Sequence, residues 1–304
     1  MRLARLSGLA LLVATTVIWG STFPLVQGAV AVVAPLQLVA WRFALAALCL
    51  LPWLIRGPDL RAALPGFGIG LANAAGFLLQ TFALRTVGAD QVAFLTGLSV
   101  VLVPLADAVA RRAWPSPFVA AALVAALAGL ALMTMGHRLA WSLGDVLGLL
   151  CAAMFTIQVF GTSRVAARVG GIRLAAQQLA SGAVAFGLVG LMWHPAWLVP
   201  PPRAAWPVVV YLTVAATVGT LVLQSLGQAR VSATAAAIVF NLEPVFAAVW
   251  AFVLRGESLT LREGLGALCV LAGMIAAALA PGEAAAAAGA QGALVGAREP
   301  GQPG

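Results

Sequence analysis

The sequence has no lysine, a single tyrosine, two histidines, three cysteines and only 9% charged residues across 304 positions. Each scarcity excludes something. A phosphate-cradling glycine loop needs a lysine at its end, so direct ATP drive within the chain is not expected. His137 and His194 fall in expected loops, and Cys49, Cys151 and Cys269 each lie alone in an apolar run. Neither set has the spacing of a metal site or a disulfide framework, so no metal and no cofactor is expected. A soluble domain carries roughly 25% charged residues, and this chain falls far short of that.

What is abundant is hydrocarbon. Hydrophobic residues make up 62% of the chain, and the mean hydropathy is +1.04. They are gathered in runs long enough for helices of about 20 residues, the length that spans a bilayer. Such runs lie near Ser7–Val33, Leu36–Ile55, Gly66–Thr86, Val92–Ala110 and Pro117–Met135. Five more lie near Asp145–Thr162, Leu174–Trp193, Trp206–Gln228, Ser232–Leu254 and Arg262–Ala280. Alternating segments of about 10 residues, which a membrane barrel needs, are not seen. The stretch Leu6–Val33 is too long for the apolar part of a signal peptide and reads as a retained first span. Trp53, Trp114, Trp141, Trp193, Trp197 and Trp206 fall near expected span ends, where indole rings favour the headgroup layer. Residues 281–304, with Ala284–Ala288 and a Pro/Gly-rich end, read as a disordered cytoplasmic tail.

The formal net charge of +8 rests on seventeen arginines against nine carboxylates. On a soluble protein that balance suggests nucleic acid; at span ends it is a topology signal instead, and no nucleic-acid partner is expected. With the amino terminus inside, cytoplasmic segments hold eleven arginines, among them Arg56, Arg61, Arg111, Arg112 and Arg298. Outer segments hold five: Arg85, Arg138, Arg203, Arg255 and Arg262. Both termini are therefore expected in the cytoplasm.

Short matches recur in the same order in the two halves. Trp19-Gly20-Ser21-Thr22 answers Phe160-Gly161-Thr162-Ser163 at an offset of 141, and Leu79-Gln80-Thr81 answers Leu223-Gln224-Ser225 at 144. Pro104 answers Pro244 at 140, and Leu127-Ala128-Gly129 answers Leu271-Ala272-Gly273 at 144. One match among so many Ala, Leu and Gly is weak; a kept order at one offset is stronger. Each copy holds five spans, an odd number, so the second enters the membrane from the opposite side. The expected fold is all-α and integral to the membrane: ten transmembrane helices as two inverted five-helix repeats, residues 1–136 and 144–280. Inverted halves around a central site are the architecture of many secondary transporters.

Trp19-Gly20-Ser21-Thr22-Phe23-Pro24, Arg42-Phe43, Leu242-Glu243-Pro244 and Gly256-Glu257 resemble the EamA-type transporters of the drug/metabolite transporter superfamily. The resemblance covers the chain to about Ala280. It implies a ten-helix carrier or exporter of small metabolites in the inner membrane of a bacterial cell. The first half departs from the pattern, with Val103 before Pro104 where the second has Glu243, and Arg111-Arg112 near where a Gly-Glu pair is expected.

Several residues inside the spans invite chemistry. Pro24, Pro104 and Pro244 free the carbonyls of Gly20, Val100 and Phe240, which marks hinges beside a cavity or static kinks. Glu243 lies mid-span, where an ionised carboxylate costs about 2.5–3.5 kcal/mol on insertion scales. It is a proton-coupling site, or a structural group paired with Asn241 or an Arg. Arg42, roughly 10 Å below the outer edge at about 1.5 Å per residue, snorkels outward or clamps an anion; its counterpart in the other half is near Gln177 or Gln178. Asn73, Phe77 and Gln80 share a helix face that points inward, either to a cavity or to interhelical amide bonds. The expected cavity set is completed by Trp19, Ser21, Trp41, Thr96, Gln158, Gln224 and Asn241.

The expected partners are a small-molecule substrate, such as an amino acid or amphiphilic drug-like compound, and the lipid bilayer. The expected assembly is a monomer or weak homodimer. A membrane-embedded enzyme acting on a lipid-linked substrate and a channel are the competing readings.

Overall fold

The computed structural model describes residues 2–55, 60–134, 142–193, 195–255 and 260–279. Arg56, Arg138, Trp141, His137, His194, Gly256, Glu257, Arg298 and the tail 281–304 lie outside the described residues.

All regular structure among the described residues is helical. The first half contains α1 (Arg2–Gly20), α2 (Thr22–Ala29), α3 (Pro35–Cys49), α4 (Leu51–Ile55), α5 (Leu60–Thr86), α6 (Ala89–Gly97), α7 (Ser99–Arg111) and α8 (Pro117–Thr134). The second contains α9 (Leu143–Val169), α10 (Gly171–Trp193), α11 (Trp206–Thr213), α12 (Thr220–Gln228), α13 (Ala233–Phe240), α14 (Glu243–Arg255) and α15 (Leu261–Leu279). Among the described residues, seven helical stretches are long and apolar enough by length and composition to cross a membrane, from Leu3–Ala29 to Ala233–Trp250. Pro35–Cys49 and Pro117–Met133 are shorter apolar helices.

Polarity is distributed as hydrocarbon solvent demands. Val124, Leu191, Leu268 and Val253 are each more than 60% exposed, while Gln158, Gln178, Gln224 and Gln228 are 2% exposed or less. An amide turned toward lipid has no hydrogen-bond partner, so the bundle keeps its amides inside.

Three of the long runs are interrupted. The first breaks at Ser21, one residue after the Gly20 carbonyl that the Pro24 ring leaves unbonded. Local hydroxyls bind neighbouring carbonyls there: Ser21 Oγ donates to Ile18 O at 2.7 Å and Thr22 Oγ1 to Trp19 O at 2.8 Å. The run containing α13 and α14 breaks at Asn241-Leu242, just before Pro244. Pro24 and Pro244 thus sit in the first turns of α2 and α14, where a missing N–H leaves no intrahelical bond unmade. The break between α6 and α7 at Leu98 has no proline; Gly97 and Ser99 flank it, and Pro104 lies inside α7. A fourth irregularity, the π-turn Val214–Gly219, joins α11 to α12. There Thr217 Oγ1 donates to Leu212 O at 2.7 Å.

The last helices of the two halves pack closely against each other. A Cβ on Gly129 of α8 would lie 2.7 Å from the backbone N of Val270, and one on Gly273 of α15 would lie 2.7 Å from Ala122 O and 3.1 Å from Ala126 N. Residue numbers rise along one helix as they fall along the other, so α8 and α15 are antiparallel. An offset of 144 carries Gly129 to Gly273 and Ala126 to Val270, so the two contacts are copies of one another. Other contacts obey the same exchange: α5 packs on α9 as α12 packs on α1, and α6 and α7 pack on α9 as α13 and α14 pack on α1.

The α8–α15 seam generates a prediction. Gly129→Leu inserts a side chain where even a Cβ meets backbone, and overpacking of this kind costs about 1–3 kcal/mol. The detergent-solubilised variant is expected to unfold several degrees below the wild type. An unchanged melting temperature would mean that the two helices are not in contact at Gly129.

Candidate functional site

All three helix breaks end on one central cavity. Its wall is formed by Trp19, Thr22 and Phe23 at the α1–α2 break, by Thr96, Gly97 and Ser99 at the α6–α7 break, and by Phe240, Asn241, Glu243 and Pro244 at the α13–α14 break. The unbroken helices α5 and α9 close it with Asn73, Phe77 and Gln80, and with Phe155, Gln158 and Val159. About 720 Å³ of empty space lies within these walls when the mouth is counted, but only about 50 Å³ admits the centre of a water molecule. A water needs about 10–15 Å³ by that measure. The cavity is therefore narrow, with room for a handful of waters.

Three buried polar atoms of the wall are unpaired. Trp19 Nε1, Asn73 Nδ2 and Asn241 Oδ1 are buried without a hydrogen-bond partner. The orientation of Asn241 is fixed by its Nδ2, which donates to Ala126 O at 2.9 Å and leaves Oδ1 aimed elsewhere. No hydrogen bond or ion pair reaches the Glu243 carboxylate among the described residues. The pairing of Glu243 with Asn241 or an arginine, one of the two readings drawn from the sequence, is therefore not the arrangement found. Each unmet buried polar atom costs about 1–3 kcal/mol, so the cluster calls for water or a polar solute in the cavity.

The apolar part of the wall is aromatic. Trp19 and Phe240 lie 5.3 Å apart between ring centroids, and Phe77 meets Phe155 edge-on at 5.5 Å. Behind Phe77 stands Arg42, its guanidinium carbon 4.4 Å from the ring centroid. Arg42 is 2% exposed and points into the bundle, which corrects the snorkelling alternative. Its Nη2 donates to Ala216 O at 2.9 Å and its Nε to Thr217 Oγ1. Both acceptors belong to the π-turn, so Arg42 fastens α3 to the α11–α12 junction and does not line the cavity.

The other expected cavity residues take varied places. Ser21, in addition to its bond to Ile18, lies 2.6 Å from the hydroxyl of Tyr211, joining the first break to α11. Trp41 donates to Val199 O at 3.0 Å and meets Trp206 edge-on, away from the cavity. Gln177 is buried with its Oε1 unpaired and packs beside Gly66 of α5. Gln224 sits one layer behind the wall in a chain of amides. Its Nε2 donates to Gln158 Oε1 and Gln228 Oε1, each at 2.9 Å, and Gln158 Nε2 donates to Gln178 Oε1 at 2.9 Å. Gln228 Nε2 then reaches Val159 O at 2.8 Å and Ser163 Oγ at 2.7 Å. Gln228, Tyr211 and Phe155 were not singled out from sequence; Gln178 was named there only as a possible counterpart of Arg42, and Phe240 only for its freed carbonyl. The hint for Phe155 was its place one turn before Gln158.

Away from the cavity, Asp107 of α7 is paired with Arg111 and lies 3.8 Å from Arg164 of α9, whose guanidinium carbon is 4.6 Å from the Phe160 ring centroid. This ties the two halves together at one end. No group of three or more His, Cys, Asp or Glu side chains gathers among the described residues.

The amide chain is testable. Gln158→Leu leaves Gln178 Oε1 and Gln224 Nε2 each short of a partner, so it is expected to destabilise the protein by about 1–3 kcal/mol. Gln158→Leu combined with Gln224→Leu removes both ends of one bond and is expected to cost less than the two single changes added. Additive costs in thermal unfolding would mean that the two amides do not interact.

Similarity to known proteins agrees with this geometry. The EamA-like transporter family matches residues 6–135 and again 142–279. An uncharacterized transporter of Archaeoglobus fulgidus is 28% identical over 285 residues, covering 90% of this chain and 85% of that protein. A protein of known crystal structure superposes with a TM-score of 0.72 at 20% identity, over 92% of this chain and 97% of that one, which is a likeness of fold. The chain is a multi-pass membrane protein and belongs to the EamA-like transporter family.

Proposed function

We propose that the chain is a secondary transporter that moves small solutes by alternating access. In this reading ten helices cross the inner membrane of a bacterial cell as two inverted five-helix units, 1–136 and 144–280. Both termini are cytoplasmic, and the solute site is the central cavity. One observation carries it: interrupted helices from both halves end on the same cavity, whose wall holds polar atoms that nothing in the bundle satisfies. Broken helices around a mid-membrane site between repeats are the usual construction of such carriers.

The antiparallel α8–α15 seam and the exchange pattern of the contacts support two units of opposite orientation. The narrowness of the cavity supports a carrier over a channel, because an open pore would need a continuous wet path and this space holds a handful of waters. Rocking of the halves would widen it to one side at a time. The pairing of Asp107 with Arg111 and Arg164 at one end suits a contact that closes one face of the bundle and breaks when that face opens. Export or exchange of amino acids or amphiphilic compounds fits the mixture of aromatic walls and sparse donors.

Reconstituted vesicles test the proposal. Flux of a transported solute is expected to saturate with concentration, and the same solute preloaded on the far side is expected to accelerate it severalfold. Flux that rises linearly and ignores the far side would identify a channel. Failure of amino acids, nucleosides and organic cations alike to move would overturn the carrier reading.

A further inference from the structure

Resting on the carrier reading, we infer that the cavity selects small organic cations: an ammonium group, protonated or quaternary, carried on an apolar or aromatic body. The inference comes from what stands on the wall at the α13–α14 break. Phe240, Asn241 and Glu243 are near neighbours in sequence, and the helix break between them turns all three toward the cavity. Together they present a ring face, an unpaired carbonyl oxygen and a carboxylate that no cation in the described bundle neutralises. Trp19, against Phe240 at 5.3 Å, completes the wall with a second ring. Indole and phenyl faces attract a cation most strongly where water is scarce.

The balancing charge is absent from the wall. None of the residues lining the cavity is an arginine, and the chain has no lysine. The nearest buried guanidinium, Arg42, stands on the far side of Phe77 with its Nε and Nη2 engaged by the π-turn. It occupies one face of Phe77, whereas no guanidinium among the described residues stands over the Trp19–Phe240 pair, which lies on the wall with Asn241 and Glu243. An anionic solute would exchange its hydration for neutral donors such as Trp19 Nε1 and Asn73 Nδ2. With no positive charge to meet it, that exchange is unfavourable. The same two donors suit a hydroxyl, ether or carbonyl oxygen on the body of a cationic solute. An isolated carboxylate within the membrane is costly, and a bound ammonium supplies what it lacks.

The test is equilibrium binding to the purified full-length protein by calorimetry, which needs no transport. Four probes share a phenyl ring and enter as the halves rock and widen the cavity to one side: benzyltrimethylammonium, benzylamine, benzyl alcohol and phenylacetate. The two cations are expected to bind at least about tenfold more tightly than the alcohol, a difference of about 1.4 kcal/mol, and phenylacetate is expected to bind most weakly. In Glu243→Gln the advantage of the cations over benzyl alcohol is expected to vanish, with benzyl alcohol itself unaffected. Equal binding of all four probes by the wild type, preference for phenylacetate, or no binding of either cation overturns the inference, whether or not the variant folds. A cation advantage that survives intact in a folded Glu243→Gln protein overturns it as well. If the cations bind but do not cross reconstituted membranes, the carrier reading fails and the selectivity stands. If other solutes are carried and the cations neither bind nor compete, the selectivity fails and the carrier stands.

Discussion

The structure is governed by the absence of water around it. In hydrocarbon a polar atom is satisfied within the protein or not at all, so helices close their own backbone bonds and side-chain amides turn inward. The Gln178–Gln158–Gln224–Gln228 chain is the result: four amides, all but inaccessible, bonding α9, α10 and α12 to one another. The same rule governs Arg42, whose charge is met by the acceptors of the π-turn and the face of Phe77. Other buried polar atoms without a partner, such as Gln177 Oε1, Gln178 Nε2 and Thr213 Oγ1, lie elsewhere in the bundle, whereas those of Trp19, Asn73 and Asn241 gather at one cavity.

The breaks explain how that cavity exists. A continuous helix would present only side chains to the centre, whereas an interrupted one opens its own ladder and redirects the chain there. Gly20 and Gly97 stand at the last turn before two of these breaks. At Gly20 a Cβ would lie 2.7 Å from the backbone N of Ala247, so α1 and α14 approach closely at the point where α1 ends. Trp250 Nε1 donates to Val17 O at 2.8 Å and strengthens that crossing. Close packing around the cavity and open hydrogen bonding on its wall thus come from the same few residues.

Much of this was legible in sequence because hydrocarbon imposes strong patterns. The long apolar runs mark the helices, and Pro24 and Pro244 mark two of the breaks, since a ring in place of an N–H frees a named carbonyl. Trp19, Asn73, Gln80, Thr96, Gln158, Asn241 and Glu243 were distinguishable as polar or amphipathic groups deep in apolar runs, and all of them line the cavity. The break at Leu98 was not legible, because it arises from a Gly-Leu-Ser sequence without proline, while Pro104 is accommodated inside α7. The π-turn left no mark in composition. Nor could spacing foretell that Arg42 bonds to a segment some 175 positions later, or that Trp41 faces Val199 and not the cavity. Such choices depend on which helices meet, and a linear pattern does not encode that.

The central claim is that the two halves lie in opposite orientations around the cavity, and side-specific labelling addresses it most directly. Ser116 and Thr260 are exposed residues just before α8 and α15, the antiparallel pair. Each is replaced singly by cysteine in a protein whose native cysteines have been removed, and an impermeant maleimide is applied to intact cells and to inside-out vesicles. The account predicts that Ser116→Cys reacts only from the cytoplasmic side and Thr260→Cys only from the outside. Labelling of both from the same side would contradict it.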